Sequence, residues 1–198
     1  MKDYKIKEKE RRKNRIYKVA TKTLWQKGYD RTSIRDIAKA TDMTTAGLYY
    51  YFKSKEDLFQ AVIIKEVEIL ARELEIVINR NTDPVDKLRD YILTKLSTFR
   101  SLANFYHAIE NDVTAVGFID EIKIRYEQDE IRMIKRILIE GVRKNEFEIY
   151  DFNLAAIGIT TAIKGLEMPL SAGVYASINL ERSVDIILKI ICYGIMKR

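Results

Sequence analysis

Residues 32–59 read TSIRDIAKATDMTTAGLYYYFKSKEDLF. Ile34, Ile37 and Ala38 recur at helical spacing and mark the buried face of a short helix within TSIRDIAKAT. Thr32 or Ser33 can cap its start, and Asp36 suits a reciprocal cap, although Glu or Gln is the usual partner. A turn around Thr41, Asp42 and Met43 leads to a second short helix in TTAGLYYYF, with Leu48 and Phe52 directed to the core. Two helices of about eight residues joined by a turn of about three or four form a helix-turn-helix pattern.

The flanks extend this pattern. Upstream, Ile16, Val19, Ala20 and Leu24 form one apolar stripe of a helix from about Glu8 to Gln26. Its other faces carry Arg11, Arg12, Lys13, Arg15, Lys18 and Lys22, and Gly28 stands where a C-cap glycine belongs. Downstream, Ser54 caps a long helix whose stripe runs through Leu58, Phe59, Val62, Val67, Leu70, Leu74 and Val77 and fades near Asn79. Pro84 sits where the next helix begins, and Leu88, Ile92, Leu96 and Phe99 follow. A short aromatic helix is expected over Leu102–Glu110 and a long one from Phe118 to Lys144. After a turn at KNEFEIYDFN come two final helices, about 154–168 and 180–197. Without strand-like alternation, the chain is expected to be all-α with about nine helices: a three-helix N-terminal head over residues 1–53 and a larger body over 54–198.

Charge separates head from body. Residues 1–58 hold 16 Lys/Arg against 8 Asp/Glu, a net of +8, whereas residues 59–198 hold 19 against 21, a net of −2. A basic module on a near-neutral body suggests a polyanion partner at the N-terminus, with a plain solvated surface as the alternative.

The chemistry available elsewhere is narrow. Cys192 and His107 are single, so an internal disulfide and a Cys/His zinc site are excluded. No Ser/His/Asp or Cys/His arrangement is evident, and the glycines form no phosphate-cradling loop. An enzyme is not expected, nor a cofactor or a metal. Glu127, Asp129 and Glu130 lie among Arg and Lys and suggest a solvated, ion-paired helix face. The N-terminal stretch lacks the apolar run of a secretory signal, and the apolar segment near the C-terminus is too short to span a bilayer, so a cytoplasmic protein is expected.

Gly28-Tyr29, Thr32-Ser33, Ile37-Ala38, Gly47-Leu48-Tyr49-Tyr50-Tyr51-Phe52 and Lys55-Glu56 with Leu58 and Phe59 together resemble the DNA-binding module of the TetR family of bacterial regulators. The likeness covers about residues 10–60; the rest is similar only in length and helical character. It implies a DNA-binding head of three helices and a body that usually holds a small-molecule pocket. It also implies a homodimer formed by the last two helices as a four-helix bundle, and a fourth helix that links pocket to head.

On that resemblance the second motif helix enters the major groove of operator DNA. Thr44, Thr45 and Gly47 would meet base edges, and Tyr49 and Tyr50 would offer hydroxyls to phosphates. Many relatives carry a basic residue where Thr45 stands, so a strong guanine contact is missing here. Lys55, Arg35 and Thr32 or Ser33 would anchor the backbone, although plain capping accounts equally for the last two. The basic residues from Lys5 to Arg15 form either an arm along the adjacent DNA or a solvated tail.

In the body, Tyr91, Phe99, Phe105, Tyr106, Phe118 and Tyr126 lie on helices that the family packs around its ligand, and Arg100, His107 and Arg125 could supply polar handles to a carboxylate or phosphate. A mainly hydrophobic effector is expected, for instance a fatty acid, an acyl thioester or a lipophilic aromatic; alternatively the rings simply fill a core. The apolar residues of the last two helices, including Leu154, Ile157, Ile163, Leu166, Val184, Ile187, Ile191 and Ile195, exceed what one helix pair can bury. The expected product is a ligand-released repressor that binds a palindromic operator as a dimer. A DNA binder that has lost its ligand, and an enzyme or protein–protein module on the same fold, are the competing readings.

Overall fold

The computed structural model describes residues 2–101, 113–171 and 179–195. Among them are eight helices: α1 Lys2–Lys27, α2 Ile34–Ala40, α3 Thr45–Tyr49, α4 Lys55–Ile78, α5 Pro84–Ser101, α6 Val113–Arg143, α7 Phe152–Ser171 and α8 Leu180–Ile195. The expected all-helical architecture is what the chain adopts; the short helix anticipated over Leu102–Glu110 lies outside the described residues.

The first helix is longer than its apolar stripe. It starts at Lys2 rather than near Glu8, because its first two turns carry no inward-facing stripe to detect: Tyr4 and Ile6 are exposed and the other residues are charged. The ion pair between Arg12 Nε and Glu8 Oε1, 3.0 Å one turn apart, supports the region locally. Gly28 then ends the helix at φ 79°, a left-handed conformation that favours glycine, and its N–H donates to the Leu24 carbonyl.

Two compact units divide the described residues: the first takes in residues up to Glu68 together with the start of α6, residues 113–119, and the second takes in residues 69–101 and 120–195. The first unit closes on Ile16, Ala20, Leu24, Ile37, Leu48, Phe52, Leu58 and Val62, all buried. Each deeply buried aliphatic side chain contributes about 1.5–3 kcal/mol by leaving water, which holds the short helices α2 and α3 that could not persist alone.

The second unit is a helix bundle in which α5 packs against both α7 and α8. Its core runs from Leu74 and Val77 through Leu88, Tyr91, Ile92 and Leu96 to Ile134, Leu138, Ile163 and Val184. Its turns carry their own signals. Asn145 takes φ 63° after α6, and the N–H of Glu146 returns to the Gly141 carbonyl. A Cβ at Gly141 would stand 2.0 Å from the Phe147 ring, so glycine is what allows that ring to lie on the helix. Asp151 accepts from the N–H groups of Asn153 and Leu154 and so caps α7, and Asn179 accepts from Arg182 N–H to cap α8. Among the described residues no helix is long and apolar enough to cross a membrane.

Candidate nucleic-acid interface

The helix-turn-helix is assembled by caps. Ser33 accepts from Asp36 N–H at 3.1 Å, while the Asp36 carboxylate accepts from Ser33 N–H at 3.0 Å and from its hydroxyl at 2.7 Å. This reciprocal box fixes the start of α2. These bonds, with Lys27 adding its charge, hold the Asp36 carboxyl down at about 2. Thr32 has a different task from the DNA contact anticipated for it. It is 2% exposed, and its hydroxyl donates to the Gly28 carbonyl at 2.6 Å, tying the loop to the end of α1. Of the pair, Ser33 alone is at the surface.

The turn between the two motif helices is equally specified. Thr41 is buried and its hydroxyl donates to the Ile37 and Ala38 carbonyls. Asp42 adopts φ 55°, a left-handed conformation that a short polar side chain tolerates, and its carboxylate pairs with Arg15 at 2.6 Å. Thr44 then caps α3 by accepting from Gly47 N–H at 3.0 Å.

α3 is a five-residue helix with one side chain buried, Leu48. Thr44 is exposed at its start, Thr45 and Gly47 are half-exposed, and Tyr49 and Tyr50 are 49% and 72% exposed. Helical spacing stacks Tyr49 above Thr45 and Tyr50 above Ala46, giving a polar face of hydroxyls that nothing in the first unit covers among the described residues. The Tyr50 ring lies edge-on to Tyr51, and the Lys9 ammonium stands 5.4 Å from its centre. Lys13 approaches both Tyr17 and Phe52 in the same way. These contacts bring the basic side of α1 to the tyrosine end of the motif. Arg35 is exposed on α2.

Lys55 opens α4, where Ser54 accepts from Asp57 N–H at 3.1 Å. The Lys55 ammonium rests 3.9 Å from the centre of the Tyr29 ring, a cation–π contact worth about 0.5–2 kcal/mol, and this fixes where its charge is presented. The Tyr29 hydroxyl donates to Glu56 at 3.0 Å. The Glu56 carboxyl lies below its usual range, held there first by the Ser54 hydroxyl, then by its own backbone N–H and by Tyr29.

The residues anticipated for ligand binding are placed less completely. Tyr91 is 0% exposed and a member of the core of the second unit, and Tyr126 is half-buried. Phe99, Arg100 and Phe118 fall on helices but their side chains, like Phe105, Tyr106 and His107 altogether, lie outside the described residues. Glu130 corrects the expectation of a solvated face. Its side chain is 16% exposed, and it pairs with buried Lys95 at 2.6 Å. Glu167 of α7 reaches the same ammonium at 2.7 Å. Lys95 is not among the residues expected at a site. The available signal was its spacing, four residues after Tyr91 and three after Ile92 within an apolar stripe.

Residues 16–62 match the family profile described as bacterial regulatory proteins, tetR family. YttP, a probable HTH-type transcriptional regulator of Bacillus subtilis, is 30% identical over 141 residues, 68% of this chain and 67% of that protein. The HTH-type transcriptional repressor ComR of Escherichia coli is 34% identical over 83 residues, 41% of this chain and 40% of its own length. In fold, a transcriptional regulator from Cytophaga hutchinsonii superposes with a TM-score of 0.80 at 24% identity, over 92% of this chain and 97% of that one. With the capped motif and the exposed face of α3, these likenesses lead to one conclusion: the chain belongs to the TetR family and is a DNA-binding transcriptional regulator, not an enzyme.

Proposed function

We propose that the protein is a cytoplasmic repressor that binds a palindromic operator as a homodimer and leaves it when a mainly hydrophobic small molecule binds the body, residues 54–198. The observation that carries this reading is the exposed hydroxyl face of α3, with Thr44, Thr45, Tyr49 and Tyr50, in an N-terminal stretch, residues 1–58, with a net charge of +8. A short helix of this kind meets base edges with its first residues and phosphates with its tyrosines, while Ser33, Arg35 and Lys55 anchor the flanking backbone. The repressor sense agrees with the description of ComR. Release is a population shift: the effector favours dimers whose two reading helices no longer match half-sites about one helical turn or more apart.

Selection of bound sequences from random DNA tests the reading directly. The selected site is expected to be a palindrome, bound with an affinity that falls steeply with salt as phosphate contacts release counterions. Thr45→Ala changes base preference, whereas Lys55→Ala weakens all sequences alike and lowers the salt slope by about 1. Failure to prefer any sequence over bulk DNA sinks the proposal. A true inducer must also bind free protein more tightly than DNA-bound protein, by the factor with which it weakens operator binding.

A further inference from the structure

Three buried side-chain polar atoms lack a hydrogen bond among the described residues, and all three belong to the helices of one seam. They are the Tyr91 hydroxyl on α5 and, on α7, the Thr160 hydroxyl and Glu167 Oε1. Thr160 and Glu167 are seven residues apart and so project from one face of α7, with Ile163 between them. Tyr91 and Lys95 are one turn apart on α5, 0% and 1% exposed. Native proteins leave few buried polar atoms unbonded, and three of them on two helices packed against each other call for an explanation.

The charges beside these atoms give its direction. Lys95 stands between Glu130 at 2.6 Å and Glu167 at 2.7 Å, and at Glu167 Oε1 the ion pair lacks hydrogen-bond alignment. At the rim, Lys164 pairs with Glu127 at 2.8 Å. The described groups therefore comprise three carboxylates and two ammonium groups, an excess of one negative charge. The inner members are embedded among Leu88, Ile92, Leu96, Ile134 and Ile163. Burial raises the Glu130 carboxyl above its ordinary value in spite of Lys95, and it raises the Tyr91 hydroxyl, with the charges of Glu130 and Glu167 adding to the effect. Tyr91 lies one helical turn from Lys95, the residue that both carboxylates reach. An uncompensated buried charge is costly, and a second anion here would increase the cost.

Building on the effector-controlled reading above, we propose that Tyr91, Glu130, Glu167 and Thr160 form the polar end of the effector site and take a protonated nitrogen, an amine or amidine carried on an apolar skeleton. The cation offsets the excess negative charge of the described groups and donates to Glu167 Oε1. The Tyr91 and Thr160 hydroxyls, which can rotate, complete its shell or that of the carboxylates. The surrounding aliphatic side chains receive the skeleton. A fatty carboxylate would instead bring like charge against two glutamates.

Calorimetric titration of the full chain without DNA, at neutral pH and below micelle concentration, compares octylamine, octanoate and octanol. Octylamine is expected to bind about tenfold more tightly than either of the others. Glu130→Gln and Glu167→Gln should each remove most of that preference, and Tyr91→Phe, which keeps the packing, should weaken octylamine several-fold. Thermal melts confirm that each variant is folded. Octanoate or octanol binding as tightly as octylamine, octylamine binding unchanged in all three variants, or no binding by any of the compounds would each overturn the assignment. Operator release is measured separately. Octylamine that binds through Glu167 without releasing DNA upholds the site and defeats effector control. Release by octanoate that ignores Glu167→Gln does the reverse.

Discussion

Gly47 donates its backbone N–H to the hydroxyl of Thr44 at 3.0 Å, so the exposed residue at the start of α3 is also the residue that holds its first turn. A Cβ added at Gly47 would come within 3.2 Å of that hydroxyl and 3.6 Å of Met43 Cε. Capping and base contact at Thr44 can therefore be separated. Thr44→Ser keeps the cap and loses the methyl group, so stability should hold while preference at the base beneath it changes. Thr44→Ala loses the cap and should cost about 1 kcal/mol in urea unfolding. Gly47→Ala gains up to about 1 kcal/mol of helix propensity but presses on the cap; near-neutral stability with weakened operator binding is expected. Unchanged selectivity in Thr44→Ser would remove Thr44 from the reading face.

The Ser33–Asp36 box makes the head sensitive to acid. The Asp36 carboxyl is depressed from 3.8 to about 2, so its contribution is present in full above about pH 4 and is lost as pH falls through about 2. In wild type the Asp36 carboxyl resonance should titrate near the lower value, and the urea midpoint should fall within that window. Ser33→Ala removes the first cause of the shift. Its Asp36 resonance should move back toward the unperturbed value, and its stability should lose part of that acid dependence. An Asp36 resonance that stays put in Ser33→Ala would refute the box as the cause.

The head was legible in the sequence because its signals are local. Ser33 with Asp36, Gly28, Ser54 and the inward Ile34, Ile37, Ala38 and Leu48 each act within a few residues, and the structure uses them as their spacing suggests. Thr32 was ambiguous for the same reason: a hydroxyl beside a cap serves either the surface or the loop, and the fold decides, through its bond to the Gly28 carbonyl. The polar seam of the second unit was not legible. Lys95 carries a periodicity signal, but its partners Glu130 and Glu167 come from distant helices. Glu130 sits in a sequence of charges that looks fully solvated. Pairing across a bundle depends on how helices are rotated, which local spacing does not encode.

Gly141 offers a test of packing within the second unit. With a Cβ 2.0 Å from Cδ2 and 2.4 Å from Cε2 of Phe147, Gly141→Ala must displace a ring that is 2% exposed. Overpacking of this kind costs about 1–3 kcal/mol, against at most about 1 kcal/mol gained from replacing a helical glycine. A net loss in the urea midpoint is expected, and Phe147→Leu in the same chain should recover part of it. A more stable Gly141→Ala would mean that the turn after α6 yields freely.

The last two helices carry the assembly prediction. On α8, Ile186, Ile190 and Tyr193 are 51%, 69% and 81% exposed, and their spacing places them on one stripe. On α7, Leu154 and Ile157 are 67% and 44% exposed, and a Cβ added at Gly158 or Gly165 would meet nothing within 4 Å, which leaves room for a close helix approach. A second copy covering both stripes would bury on the order of 2,000 Å² in total, as an obligate dimer requires. Ile190→Glu places a charge at the centre of that surface while touching no core residue of the single chain. It should keep its helical content, sediment as a monomer at micromolar concentration, and lose more than about tenfold in operator affinity because only one half-site is engaged at a time. Wild-type protein that sediments as a folded monomer would defeat the prediction, as would an Ile190→Glu variant that remains dimeric. In the second case the dimer would form through some other surface.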